Sequence, residues 1–288
     1  MNKANKIIIP TLAALMMSSC VKDTLYDTPH PDHGKITVAS DWSDRGEGLE
    51  IPNEWNVAIG DYQGTETEGQ HSPEYLFPAG AYTLLAWNTA DEISVSGSVA
   101  TASYSLPCKA TESITDNTPG WFHAHAQEVI IESDRDHIFT AVMRQQVRQL
   151  TIVIKPQGDA AKRITGIDAT LSGVASSLDF ANNTHGNPVS VKLNFRKGKE
   201  GDQWAATMRL LGMTDDIQKL TGTITFADGN PLPLKFESNL SSELSEFNAE
   251  KKLPLTLSGD IPATPTETGV TATIEKWDTL DDWNVDAF

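Results

Sequence analysis

Hydrophobic and polar residues alternate with a period of two along most of this chain of 288 residues. In residues 189–195, valine, leucine and phenylalanine alternate with serine, lysine and asparagine, and similar runs recur between residues 35 and 277. Such alternation places every second side chain on one face of a strand, and glycine, proline and asparagine separate the runs. The pattern predicts an all-β protein built of antiparallel sandwiches, with one short helix in residues 241–252.

The apolar pattern is interrupted near the middle of the chain by four polar residues, Gln145, Gln146, Arg148 and Gln149. The chain is long for one sandwich, so two β-domains in tandem are expected. Residues 35–146 would form the N-terminal domain, and residues 147–288 the C-terminal domain with a C-terminal tail. No residue-level repeat relates the halves, so any similarity between them would lie in their architecture.

The chain begins with two lysines followed by an apolar run of 11 residues, 7–17, that stops just before Cys20. A helix that spans a bilayer needs about 20 apolar residues, so this run predicts a cleaved signal peptide, residues 1–19. Two serines directly precede the cysteine, and a lipoprotein signal peptidase accepts only small residues there. Cys20 is therefore the predicted lipidation site, and an ordinary secretory signal with a chance cysteine is the alternative.

Residues 20–34 are polar and rich in proline, which predicts a lipidated spacer without a helix. Removal of residues 1–19 leaves 288 − 19 = 269 residues and changes the formal net charge from −17 to −19, because the leader carries two lysines and no acid. Such a surface repels nucleic acid and anionic lipid, so acyl chains must provide the attachment to a membrane. No nucleic-acid partner is expected.

The chain contains no nucleophile elbow, phosphate-binding glycine loop or calcium-loop pattern. Cys108 has no base beside it in sequence. His123 and His125 would share one strand face, but zinc needs three or four ligands, so solvated histidines are expected. The adjacent Asp215 and Asp216 are not two carboxylates held across a cleft. We therefore predict a non-enzymatic protein with no catalytic, cofactor-binding or metal-binding residues.

The tryptophans allow a different class of function. Trp42, Trp55, Trp87 and Trp204 lie in alternating runs and are expected in the core. Three others are candidates for a platform on which a sugar stacks: Trp121, Trp277 and Trp283. A surface glycan-binding lipoprotein is therefore one alternative function.

The last residues of the chain mix acids with four apolar residues, Leu280, Trp283, Val285 and Phe288. One interpretation is a final strand with a frayed end. The other is a donor tail that adds a strand to a neighbouring subunit. Both interpretations remain open from the residues alone.

Several short stretches together resemble a known family, and they are residues 20–23, 25–32, 41–42, 59–62 and 85–88. They are similar to the fimbrillin superfamily of Bacteroides-type bacteria, and specifically to its FimB/Mfa-type lipoprotein anchor branch of minor subunits. The resemblance implies two transthyretin-like antiparallel β-sandwich domains in tandem and a lipid-anchored location at the surface of the outer membrane. It also implies a role in fimbriae, or pili, with other fimbrial subunits as partners joined by strand exchange.

Whether the peptide bond after Arg45 is cut would decide between two roles known in this superfamily. In stalk subunits a protease cuts after an arginine and removes the first strand, which opens a groove for a partner's strand. Arg45 follows the expected first strand, residues 35–42, so a cut there would make the chain a polymerising stalk pilin. An intact bond would leave the first strand in its own groove and the lipid attached. The similarity of residues 25–32 favours the anchor over the stalk.

Overall fold

The computed structural model describes residues 32–104, 118–199, 202–262, 272–274 and 276–280. The first half of the described chain contains eleven strands: β1 His33–Asp41, β2 Trp55–Ile59, β3 Tyr62–Glu66, β4 Gln70–His71, β5 Phe77–Pro78, β6 Gly80–Asn88, β7 Ile93–Ser96, β8 Val99–Ala102, β9 His123–Ile131, β10 Asp136–Val142 and β11 Arg144–Gln145.

The second half contains ten strands and two short 3₁₀ helices. The strands are β12 Arg148–Gln157, β13 Ile164–Asp179, β14 Thr184–Asn194, β15 Arg196–Lys197, β16 Trp204–Leu210, β17 Lys219–Phe226, β18 Leu234–Asn239, β19 Leu255–Pro262, β20 Ala272–Thr273 and β21 Trp277–Thr279. The 3₁₀ helices are Asp159–Arg163 and Ala227–Gly229. The predicted all-β class is confirmed.

Four sheets organise these strands. Sheet A has the order β10-β1-β4, with β5 also paired to β1, and sheet B has the order β11-β9-β6-β2-β3. Sheet C has the order β15-β16-β12-β19-β21, and sheet D has the order β20-β18-β17-β13-β8-β7, with β14 on the other edge of β13.

The pairing is not purely antiparallel, which corrects the sequence prediction. β1 pairs in parallel with β10, β12 pairs in parallel with β19, and β18 pairs in parallel with β20. In each half, therefore, the first strand lies parallel to a strand from the end of that half. Parallel neighbours need a long crossover between them, and local alternation carries no information about such distant pairs.

The described residues form three apolar core clusters. One contains residues of sheets A and B, among them Ile36, Val38, Trp55 and Leu84. A second contains residues of sheets C and D, among them Leu150, Ile152, Leu171 and Phe236. The third draws on both halves of the chain: Ala100, Ala102, Phe122, Ala124, Val147, Leu178 and Leu211.

The β7–β8 hairpin crosses the predicted domain boundary. Val99, Ala100 and Thr101 of β8 pair with residues 177–179 at the end of β13. The beginning of β13 pairs with β17 instead, through residues 164–171. A hairpin from the first half of the sequence thus extends a sheet of the second half, and this contact joins the two halves.

The predicted helix in residues 241–252 is wrong. This segment forms consecutive turns. Leu244 donates a backbone hydrogen bond to the carbonyl of Leu240 at 2.9 Å, but the later bonds join residues only three positions apart, one fewer than in an α-helix. Two of its carbonyls, those of Glu246 and Phe247, accept hydrogen bonds from the guanidinium of Arg148 at 3.1 and 3.0 Å. A tertiary contact thus uses carbonyl groups that a continuing helix would need.

Candidate functional site: the loop after the first strand

The loop that follows β1 holds Arg45 in place through its own backbone. The Arg45 Nε donates to the carbonyl of Leu49 at 2.9 Å, and Nη1 donates to the carbonyl of Trp42 at 2.8 Å. The arginine is half-buried. Its guanidinium therefore closes a small loop and is not presented as an extended, free side chain.

The peptide bond after Arg45 is also held in place by a hydrogen bond. The backbone amide of Gly46, which is buried, donates to Oε1 of Gln145 at 2.8 Å. The Nε2 of the same glutamine donates to the carbonyl of Val147 at 2.9 Å and to that of Lys251 at 2.7 Å. Gln145 is only 6% exposed, so these three bonds form in a region with little access for water. One side chain thus ties the loop after β1 to the second half of the chain.

Ion pairs lie on the outer side of this loop. The Asp44 carboxylate is 2.8 Å from Lys252 Nζ and 3.8 Å from Arg144 Nε. The hydrogen bond to Asp44 raises the pKa of Lys252, and the negative charge of the same carboxylate adds to the effect. All three side chains are at least one-third exposed, so such pairs add little stability.

β1 itself is embedded between neighbours. Its buried residues Ile36 and Val38 are 1% and 0% exposed and belong to the core of the first half. Seven residue pairs join β1 to β10, from Lys35 with Asp136 to Asp41 with Val142. Shorter contacts with β4 and β5 complete the other edge. The first strand therefore fills a position in the sandwich core of its own chain.

His123 and His125 do not behave as the sequence predicted. His123 is fully buried, its ring lies edge-on to Trp42 at 5.6 Å, and neither ring nitrogen has a hydrogen-bond partner. Desolvation, with a smaller contribution from the charge of Arg45, lowers the pKa of His123 to about 4. His125 is half-buried and its pKa is lowered, chiefly by desolvation.

Other candidates for chemistry remain scattered. Within the described residues, no three His, Cys, Asp or Glu side chains are grouped so that they could hold a metal ion. Asp215 and Asp216 are exposed in a bend. Trp121 is half-buried, and the guanidinium of Arg209 covers one face of its ring at 5.4 Å from the ring centre.

The remaining tryptophans divide in a similar way. Trp42, Trp55 and Trp204 are 8%, 2% and 6% exposed, as predicted for the core. Trp87 is half-buried at the edge of the third cluster. Trp277 packs against the core of the second half, and its Nε1 donates to Ser238 Oγ at 2.9 Å.

The C-terminal edge begins as a strand of this chain. β21 pairs with β19, and the amide of Leu280 donates to the carbonyl of Thr256 at 3.0 Å. Leu280 is half-buried there. The other predicted tail residues, Trp283, Val285 and Phe288, lie outside the described residues, as do Cys20 and Cys108. Of the helices in the described ranges, none has the length and apolar character needed to cross a membrane.

Sequence reasoning missed three buried polar residues at the junction of the halves. Gln145, Arg148 and Lys251 are 6%, 7% and 8% exposed. Gln145 and Arg148 lie in a polar stretch that interrupts the apolar pattern, and nothing in that stretch marks which of its side chains are buried. Their burial depends on hydrogen-bond partners elsewhere in the chain, as is usual for buried polar groups.

Solved structures identify the class of fold. The chain is similar to a Bacteroides ovatus protein described as an adhesin, with 12% identity, a TM-score of 0.57, and coverage of 88% of this chain and 95% of that chain. It is also similar to the fimbrial anchor protein Mfa2 from Porphyromonas gingivalis, with 15% identity, a TM-score of 0.55, and coverage of 86% and 98%. No curated protein matches the chain.

The family follows from the sequence itself. Residues 54–283 match the fimbrillin-A associated anchor proteins Mfa1 and Mfa2, and the chain belongs to this family. The family is structural and not enzymatic, so the prediction of a non-enzymatic protein is confirmed. Membership implies a cell-surface location in fimbriae and association with a fimbrillin.

Proposed function

We propose that this protein is a lipid-anchored fimbrial anchor, or minor subunit, whose first strand and lipid both remain attached in the mature protein. Signal peptidase would remove residues 1–19 and leave an acylated Cys20, with residues 20–34 as the spacer to the outer membrane. The two halves, residues 35–146 and 147–288, would be transthyretin-like sandwiches in tandem. The parallel placement of β1 beside β10 and of β12 beside β19 supports this division.

The observation that carries the proposal is that hydrogen bonds hold the loop on both sides of the Arg45–Gly46 peptide bond. A protease needs an extended segment around the bond that it cuts, so this loop would have to open first. Opening it would break the bonds of the Arg45 guanidinium and the buried bond between Gly46 and Gln145. These contacts support an intact first strand and therefore an anchor.

Strand exchange would then be limited to the other end of the chain. With β1 retained in its core, the chain could donate a strand but would not accept one in the groove that β1 fills. The candidate donor begins after Leu280, which ends the β21 edge. Residues Trp283, Val285 and Phe288 would supply the apolar side chains of that donor, and another fimbrial subunit would accept them.

A polymerising stalk pilin cut after Arg45 is the second candidate in the same class. It needs β1 to leave the core, which would expose Ile36 and Val38 and the edge of β10.

A surface glycan-binding lipoprotein is the candidate from another class. A Bacteroides thetaiotaomicron structure described as polysaccharide-binding has 12% identity, a TM-score of 0.50, and coverage of 79% of this chain and 92% of that chain.

Replacement of Cys20 by alanine in the native host tests the proposal. Fimbriae that contain the variant should be released into the medium, because the base of the fibre would lose its acyl chains. The control is Cys108→Ala, which removes the other cysteine of the chain and should leave fimbriae attached to cells. Fimbriae that remain cell-bound with Cys20→Ala would contradict an anchor held by this lipid.

A further inference from the structure

A polar cleft lies where the two halves of the chain meet. Its volume is about 310 Å³, at the small end of the range of about 300–1,000 Å³ for ligand pockets. Asp44, His125 and Arg144 line it from the first half, and Asn183, Asn248 and Lys251 line it from the second. Junctions between structural units are common places for ligand sites.

Lys251 is the unusual member of this cleft. It is 8% exposed, and its Nζ lies 3.0 Å from His185 Nε2 and 3.4 Å from both Gln146 Oε1 and the carbonyl of Leu211. Among the described residues, no carboxylate lies within 4.0 Å of this ammonium. A buried cation is thus held by neutral acceptors, two of them at the long limit of a hydrogen bond.

The neighbouring charges do not neutralise Lys251. Asp44 is engaged by Lys252 and Arg144, and Glu250 lies at the cleft without a contact to the Lys251 ammonium within 4.0 Å. Desolvation lowers the pKa of Lys251 to about 7. His185, which contacts Lys251, and His125, which lines the cleft, both have lowered pKa values, chiefly through desolvation.

A carboxylate in the cleft would provide what this ammonium lacks, because an unpaired buried charge is costly and a paired one is much less so. Gln146 also lines the cleft, and its contact of 3.4 Å is one that an incoming carboxylate could replace. The lining also includes the apolar side chains of Ala124, Phe180 and Ala249. A sugar ring offers C–H groups to such apolar side chains and hydroxyls to the side-chain amides.

We propose that this cleft binds a sugar acid, with the carboxylate placed against Lys251 and the ring between Phe180 and the side-chain amides. The contacts proposed for the sugar acid involve neither Cys20 nor Arg45 nor the tail after Leu280, although Gln145, which holds the Gly46 amide, also lines the cleft. The chain would then have a ligand-binding activity at the junction of the halves in addition to its role in fimbriae.

Isothermal titration of the purified mature chain with D-glucuronate tests the site, and D-glucose is the matched neutral sugar. Glucuronate should bind measurably at pH 6.0 and glucose should not. Above pH 7 the free ammonium deprotonates, so the affinity for glucuronate should fall about tenfold per pH unit, or about 100-fold by pH 9. This readout uses the unaltered chain and does not depend on the folding of a variant.

Two lysine variants separate the site from general charge. Lys251→Met should fold, because removing an unpaired buried ammonium removes its desolvation cost, and it should lose glucuronate binding at least tenfold. Lys252→Met, which also lines the cleft, should lose less. Equal binding of glucuronate and glucose, no binding of glucuronate at pH 6.0, or an affinity unchanged from pH 6 to pH 9 would each overturn the proposal. Tighter binding of a tetrapeptide with a free C-terminus than of glucuronate would overturn the assignment to a sugar.

Discussion

The backbone amide of Gly46 and the side chain of Gln145 are 99 residues apart in sequence and joined by a buried hydrogen bond of 2.8 Å. The bond fixes the loop that follows the first strand, and Nε2 of the same glutamine donates to the carbonyls of Val147 and Lys251 in the second half. Gln145 therefore links two properties of the chain, the resistance of the loop to proteolysis and the attachment of one half to the other.

Gln145→Leu should weaken that junction. The change leaves the Gly46 amide and two carbonyls without their partner, and each unsatisfied buried group costs about 1–3 kcal/mol. Urea unfolding should show a lower free energy of unfolding, and an arginine-specific protease should cut the folded variant after Arg45 sooner than the wild type. The control is Gln63→Leu, an exposed glutamine of β3. Equal cleavage rates for Gln145→Leu and the wild type would contradict the role assigned to this bond.

His123 should make the fold sensitive to acid. Its pKa in the folded chain is about 4, below the ordinary value of 6.5. Between these two pH values the unfolded chain binds a proton at this ring and the folded chain does not. The stability contributed by the neutral ring is present above pH 6.5 and is lost as the pH falls from about 6.5 to about 4. The total loss is on the order of 3 kcal/mol.

His123→Leu tests this linkage by removing the titrating ring while keeping an apolar side chain. Free energies of unfolding from urea titrations between pH 7.5 and pH 4 should decline less steeply in the variant than in the wild type. Part of the decline should remain, because desolvation also lowers the pKa of His185 to about 4. His137→Gln, at a half-buried position of β10, is the matched control. A pH profile for His123→Leu that is parallel to the wild-type profile would show that His123 does not titrate in this way.

The C-terminal end can be divided into a structural part and a donor part. Deletion of residues 281–288 retains β21 and should change the free energy of unfolding by less than about 0.5 kcal/mol. Trp277→Ala, which removes a ring packed on the core and bonded to Ser238, should cost about 3 kcal/mol. Thermal unfolding separates these two effects.

The same deletion should abolish incorporation of the protein into fimbriae, as measured by immunogold labelling of isolated fibres. The chain would be present and folded but would have no strand to donate. Normal labelling of fibres by the deletion variant would be inconsistent with a donor tail after Leu280.

Gly222 tests the packing of sheet D. A Cβ at this position would lie 2.5 Å from Cζ of Phe236 and 2.7 Å from the carbonyl oxygen of Asp168. Gly222→Ala should therefore destabilise the fold by about 1–3 kcal/mol. Gly69→Ala is the control, because no atom lies within 4 Å of its added Cβ. Equal stability of the two variants in urea would mean that β17 and β18 are not packed as closely as described.

Local patterns predicted the strands well, because buried and exposed side chains alternate along a strand and this alternation is visible in neighbouring residues. The alternation in residues 189–195 reappears with Val191 and Leu193 buried on one face. The Ala-Asp-Gly-Asn sequence of residues 227–230 is typical of a hairpin turn, and it joins β17 to β18 with Asp228 and Gly229 both at positive φ. In each case a few neighbouring residues carry enough information to determine the local structure.

Long-range relationships were beyond the same reasoning. The parallel pairing of β1 with β10 joins residues about 100 positions apart, and the pairing of β8 with β13 joins different halves of the sequence. The junction was missed for a related reason. Gln145 and Lys251 acquire their importance only from partners far away in the chain, and no local pattern indicates those partners.

The most direct test of the central claim is the N-terminus of the native protein. Intact-mass analysis and N-terminal peptide mapping of the protein extracted from outer membranes should show a chain that begins at an acylated Cys20 and continues through the Arg45–Gly46 bond. A native chain that begins at Gly46 would contradict the account, because it would have lost both its lipid and its first strand.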